Sequence, residues 1–219
     1  MNLTYKFLYR LYRLFSWARY QAGLRFTRTG LVLLAGIFVS GVLGLDPENS
    51  VGYQAFTLLA GLLLVAFVFG FGFKPGFTAE RLLPRFGTVG QPFTYRVAVR
   101  NLTAQNQDGL WLLENLKDIR PSFEQWKALQ LDDNKYTRPF SFTRRRQNPF
   151  RLANLKEAAL PPLPPKQTSE ARVELTPLRR GVVQFHGVTL ARPDPLGLFR
   201  ALRRVPVPQS VLILPKRYP

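Results

Sequence analysis

Residues 29–45, TGLVLLAGIFVSGVLGL, and residues 51–73, VGYQAFTLLAGLLLVAFVFGFGF, are long apolar runs with only Asp46, Pro47, Glu48, Asn49 and Ser50 between them. Leu31 to Leu45 holds no charge, and Val51 to Phe73 is apolar apart from Gln54 and Thr57. A helix needs about 20 apolar residues to cross a bilayer core. The second run clears that length, and the first reaches toward it through Thr29 and Gly30. The pair reads as a membrane α-helical hairpin over residues 29–73. Within it Gly36, Ser40 and Gly44 stand four apart, a stripe of small residues that lets another helix approach closely. A connection this short forces the two helices together, so packing inside the hairpin is favoured over a contact with another membrane protein.

Outward from the hairpin, the 219 residues divide into a basic leader, residues 1–28, and a segment, residues 74–219, long enough for one ordinary domain. Lys and Arg number 31 against 13 Asp and Glu, for a net charge of +18, and residues 1–28 hold six bases and no acid. Such a charge fits a nucleic-acid binder or a protein facing an anionic membrane surface. The hairpin already supplies the second reason, so lipid with anionic headgroups is the preferred partner and nucleic acid the disfavoured one. There is no Cys, which excludes disulfides, thiolate metal sites and Cys nucleophiles. A secretory signal is disfavoured, because the basic stretch is long for an n-region and a second apolar run follows at once. Dense aromatics and sparse Ser disfavour a transit peptide.

In the leader, Lys6, Arg10 and Arg13 recur at helical spacing, with Leu3, Phe7, Leu11, Leu14 and Phe15 on another face. Tyr5, Tyr9, Tyr12, Trp17 and Tyr20 supply amphipathic rings. This predicts a helix lying in the membrane interface in preference to a solvated basic tail. Arg19, Arg25 and Arg28 precede the first run, and Lys74, Arg81 and Arg85 follow the second. The positive-inside rule then sets both termini in the cytoplasm and the turn at Asp46 to Ser50 outside. Gly70, Gly72 and Gly76 do not have phosphate-loop spacing and mark the exit from the membrane.

After Lys74 the period becomes two. Phe93, Tyr95, Val97 and Val99 alternate with polar residues, and Thr78 to Leu83 and Leu110 to Leu116 are further strand candidates. Gly87 to Pro92 and Asn106 to Gly109 carry turn chemistry. Ser122 to Leu131 predicts a short helix capped by Ser122 and ended near Asp132. Phe140 to Thr143 is a weaker strand candidate. Val173 and Leu175, then Val183, Phe185, Val188 and Leu190, then Val205, Val207, Val211 and Ile213 complete the strand-like segments. Short strands punctuated by Gly and Pro predict an all-β antiparallel sandwich. Pro161, Pro162, Pro164 and Pro165 read as a stiff connector rather than a docking peptide. Arg144, Arg145 and Arg146 are a candidate anion contact, although a solvated loop is the commoner role of such a triplet.

No catalytic constellation emerges. His186 is the sole histidine and has no companion ligands at metal-binding spacing. No Ser sits in a nucleophile-elbow context, and Asp132 and Asp133 read as a cap or turn tip. The strongest local signal is Arg179-Arg180-Gly181 followed by Asp194-Pro195-Leu196-Gly197-Leu198-Phe199. Asp-Pro-x-Gly forms turns because Pro195 presets φ, Asp194 accepts from a backbone amide and Gly197 relaxes the exit, while Leu198 and Phe199 are expected to anchor the turn to the core.

These two motifs, in this order behind a membrane hairpin, resemble the DUF58 family, with Leu196 in place of the usual Phe. The resemblance implies a bacterial inner-membrane protein with two spans and an immunoglobulin-like sandwich, without cofactor or known catalytic activity. It also implies company with other membrane proteins, MoxR-type AAA+ ATPases and von Willebrand A-like proteins. The family's own von Willebrand A-like region would follow Pro219, so a metal-dependent adhesion role does not carry over. A shortened member or half of a split protein is the corresponding expectation. The functional expectation is a membrane-anchored, non-catalytic interaction or assembly module; the alternative is a membrane-tethered nucleic-acid binder.

Overall fold

The computed structural model describes residues 2–44, 50–73, 75–117, 120–136 and 151–216. Three helices come first: α1 (Asn2–Arg25), α2 (Arg28–Leu43) and α3 (Ser50–Phe71). Val51 to Phe71, with a mean hydropathy of 2.2, is long and apolar enough to cross a membrane. At 16 residues α2 is shorter, rising about 24 Å at 1.5 Å per residue.

The helices α2 and α3 pack antiparallel. Gly44 lies against the backbone of Tyr53, Gly41 against Phe56 and Gly36 against Leu59. A Cβ on Gly52 would stand 2.9 Å from the amide nitrogen of Gly44. Ser40 is buried and its hydroxyl donates back to the Ile37 carbonyl. The small-residue stripe thus faces the partner helix of the same hairpin.

Among the described residues nine strands follow: β1 (Phe77–Leu82), β2 (Phe86–Thr88), β3 (Phe93–Asn101), β4 (Trp111–Leu116), β5 (Ala153–Leu155), β6 (Ala158–Ala159), β7 (Thr168–Pro177), β8 (Gly181–Pro193) and β9 (Arg200–Leu214). They form two sheets, ordered β1-β3-β7-β5 and β2-β9-β8-β4-β6. The core between them is built from inward residues of both, among them Val97, Val99, Val173, Leu175, Val188, Leu190 and Ile213. Alternation along β3 and β7 follows from the period of two: each strand turns one face to this core and one to solvent. The β-sandwich is therefore present, but it is not wholly antiparallel. Phe86 to Thr88, assigned by sequence partly to a turn, pairs parallel with Leu212 to Leu214. Gly90, at φ 78, makes the turn that follows.

One further detail differs from expectation. The helix opened by Ser122, α4 (Phe123–Tyr136), continues past Asp132. Its start is a reciprocal cap in which the Gln125 amide donates to Ser122 Oγ and the Ser122 amide to Gln125 Oε1. The inward run of β8 skips from Phe185 to Val188, as the sequence pattern has it, because its register with β4 shifts: Leu116 lies opposite Phe185 and Asn115 opposite Gly187. The extra residue, His186, is exposed at that bulge. The proline-rich connector is pinned rather than free: Leu163 is buried and exchanges both backbone hydrogen bonds with Gln107. Arg144 to Arg146 and the strand candidate at Phe140 to Thr143 lie outside the described residues.

Candidate functional site: the turn that seats the sandwich on the helices

The β8–β9 connection is the Asp-Pro-Leu-Gly-Leu-Phe segment, and its local chemistry fixes its shape. The Gly197 amide donates to the Asp194 carbonyl at 2.9 Å, closing a β-turn with Pro195 at its second position. Gly197 sits at φ 66, where a Cβ is unfavourable. The Asp194 carboxylate then gathers three backbone amides. Oδ2 accepts from Leu196 at 2.9 Å, and Oδ1 accepts from Leu198 at 2.7 Å and from Phe199. Asp194 is buried, so each of these bonds offsets the cost of removing a carboxylate from water.

So held, the turn presents Leu198 and Phe199 to the helices rather than to the sandwich core. Both are buried with Ala66 of α3, flanked by Phe26 and Leu33, in a cluster separate from the main core. The Phe199 ring meets Phe26 and Phe67 edge-on, with centroids 5.4 and 5.6 Å apart. A Cβ on Gly70 would lie 3.0 Å from the same ring. The backbone takes part as well. Thr27, the N-cap of α2, accepts from the Gly30 amide through Oγ1 and donates that hydroxyl to the Gly197 carbonyl. Its own amide donates to the Leu198 carbonyl at 3.2 Å. At Gly30, a Cβ would stand 2.0 Å from the Leu198 oxygen, so only glycine permits this approach. The elbow between α1 and α2, the end of α3 and the tip of the β8–β9 hairpin therefore meet in one clasp. Leu196, by contrast, is exposed.

The other motif lies elsewhere. Arg179 and Arg180 are exposed at the β7–β8 turn, and Gly181 adopts φ 139. The 13 residues of β8 separate this turn from the clasp, roughly 40 Å at 3.3 Å per residue. The two motifs mark opposite ends of one strand.

A second polar group was not singled out by sequence. Arg81, counted by sequence among the basic flanks of the hairpin, is instead buried in the sandwich. It is ion-paired with Glu114, and both side chains are 0% exposed. Arg81 Nε donates to Glu114 Oε1 at 2.9 Å, Nη1 donates to the Val207 carbonyl, and the guanidinium lies 4.5 Å from the Phe185 ring centroid. Tyr95 donates its hydroxyl to Glu114 Oε1 at 2.9 Å. Burial first, and then the Glu114 charge and hydrogen bond, push the Tyr95 phenol well above its ordinary value. Arg81 and Tyr95 belong to one sheet and Glu114 and Val207 to the other, so the group ties the two layers together. Its inaccessibility argues against a catalytic role. The sequence did carry a signal: Arg81 sits at an inward position of the β1 alternation.

The leader is also corrected in part. Tyr9 and Tyr12 do not lie free for headgroups. The Tyr9 ring meets Phe123 and Trp126 at 5.5 and 5.7 Å, Tyr12 stacks on Trp126, and the Tyr9 hydroxyl donates to the Pro121 carbonyl. Phe7, Leu8, Leu14, Phe15, Trp17 and Tyr20 remain exposed, beside the exposed Lys6, Arg10 and Arg13. Among the described residues, no three His, Asp or Glu side chains gather as a metal site would require.

No protein-family profile matches the chain, and no curated protein matches it. Among solved structures, the chain is similar to the CARDB domain of a Pyrococcus furiosus protein, at 12% identity and a TM-score of 0.33, covering 64% of this chain and 95% of that one. A cohesin module from a Clostridium perfringens family 33 glycoside hydrolase aligns at 10% identity and a TM-score of 0.28, covering 65% of this chain and all of the module. Neither superposition is close enough to carry an argument about topology or binding.

Proposed function

We propose that this chain is a membrane-anchored, non-catalytic interaction or assembly module. The carrying observation is the clasp. A sandwich built on its own core commits Leu198, Phe199 and the backbone carbonyls of Gly197 and Leu198 to the helices, as a domain held in fixed relation to an anchor would. In this reading α2 and α3 both insert in a bacterial inner membrane, with both termini and the sandwich in the cytoplasm. The exposed apolar and basic residues of α1 then rest on an anionic lipid surface. An immunoglobulin-like topology, and company with a MoxR-type AAA+ ATPase or von Willebrand A-like proteins, are the finer parts of the proposal; they follow from the motif resemblance.

A reporter fused at Asn49 tests the topology. Activity of a periplasm-dependent reporter supports two spans, and activity of a cytoplasm-dependent one overturns it. Extraction of the chain from membranes by alkaline carbonate alone would remove the anchor from the reading.

A further inference from the structure

The outward face of the sheet containing β8 is not uniform. Toward the clasp, its outward residues Leu113, Thr189 and Ala191 are buried. At the far end, the registers set Phe86 beside Leu212 and Leu212 beside Val182. Their neighbours Gly87, Val183, Val211 and Ile213 are the buried, inward ones. Phe86, Leu212 and Val182 therefore point outward together, at 62%, 47% and 48% exposure, with Leu214 next along the same face. Scattered apolar residues on a surface are ordinary, whereas a row in register across three strands marks a contact face.

Along the sequence, the charges flanking the row have one sign. No Asp or Glu lies within three residues in sequence of Phe86, Val182, Leu212 or Leu214. Within the same distance lie Arg85, Arg179 and Arg180, all exposed. We propose that this row and its arginines form the docking face for an acidic polypeptide segment bearing aromatic or aliphatic side chains. The proposal deepens the interaction-module reading and rests on it. A second copy of this chain would bring the same arginines against one another. Nucleic acid would engage the arginines but leave the apolar row unused. The row is also far from the clasp, since Val182 and Pro193 are 11 residues apart along β8, roughly 36 Å at 3.3 Å per residue. A bilayer holding the hairpin is correspondingly distant.

The test uses the full chain in detergent micelles and a fluorescently labelled random copolymer of glutamate and tyrosine, read by anisotropy at physiological salt. Saturable binding is expected, at least tenfold tighter than that of poly-glutamate. Leu212→Ser is expected to weaken it at least tenfold, as is the pair Arg179→Glu and Arg180→Glu. Circular dichroism checks folding, and Val182→Thr, which keeps the β-branched shape, serves if Leu212→Ser unfolds. Equal binding by the parent chain and the row variants overturns the proposal, as does equal affinity for poly-glutamate. Tighter binding of duplex DNA, lost with the arginines, replaces it by the nucleic-acid reading. A dimer in light scattering that Leu212→Ser dissolves replaces it by self-association. The measurement needs no bilayer, so failure of the topology test leaves it standing, and the Asn49 reporter is in turn insensitive to these variants.

Discussion

Glu114 and Asp194 are both carboxylates held away from water, yet their partners differ in kind. Glu114 is satisfied by side chains, the guanidinium of Arg81 and the hydroxyl of Tyr95, which arrive from the facing sheet. Asp194 is satisfied by three backbone amides from residues two to five positions along the chain. The first group depends on the sandwich having closed; the second forms wherever the local sequence turns. One therefore ties the domain to itself, while the other shapes a plug that ties the domain to the helices.

That contrast predicts different kinds of failure. Glu114→Ala leaves the Arg81 charge buried and unpaired, a change that costs about 3–5 kcal/mol. Guanidinium unfolding of the full chain in detergent, followed by the β signal in circular dichroism, should show the sandwich lost at lower denaturant with the helical signal kept. Replacing both charges, Arg81→Met with Glu114→Leu, should recover much of the loss, since a well-packed apolar pair is often no worse than a buried ion pair. If the single variant unfolds helices and strands together, the two regions are not separable.

Gly30→Ala attacks the other side. Its Cβ would stand 2.0 Å from the Leu198 oxygen, and overpacking of this kind costs about 1–3 kcal/mol. Hydrogen exchange should quicken at the Leu198 and Phe199 amides and remain unchanged in β3 and β7. Asp194→Asn is milder. It keeps an oxygen for Leu198 and Phe199 but loses the charge and the acceptor for Leu196, about 1 kcal/mol on the difference between charged and neutral hydrogen bonds. Its exchange should quicken at the same turn and by less than in Gly30→Ala; the reverse order would put the weight of the clasp on the carboxylate.

What sequence disclosed follows the same division. The Asp194 turn was legible because Asp, Pro and Gly act through their own backbone neighbours, and the strands were legible because their alternation is local. The destination of Leu198 and Phe199 was not: an apolar pair after a turn announces burial without naming what buries it, and the expected core proved to be the helices. Arg81 was misread for a related reason. Near a membrane exit a base looks like a flank, and its partner Glu114 stands 33 residues away in sequence. The parallel pairing of β2 with β9 is longer in range still, joining Phe86 to Leu212. Short segments such as β2 carry too few residues for a pattern to distinguish strand from turn.

The smallest predicted effect tests how tightly the side-chain group is sealed. Tyr95→Phe removes one hydrogen bond to Glu114, about 1 kcal/mol or somewhat more for a charged acceptor, at neutral pH. Its pH dependence is more telling. Burial and the Glu114 charge raise the Tyr95 phenol from its ordinary 10.0. The folded chain therefore keeps a proton that the unfolded chain releases. The stability tied to that proton is fully present below about pH 10 and declines as pH rises further, because the unfolded state then gains by ionising. Phenylalanine has no proton to release, so the variant should lose less stability than the parent between pH 9.5 and about 11.5. The gap between the two unfolding midpoints should narrow over that range. Parallel curves would mean that the folded and unfolded chains bind the Tyr95 proton alike. The group would then be open to solvent, and the contrast with the backbone-built clasp would fail at its sandwich end.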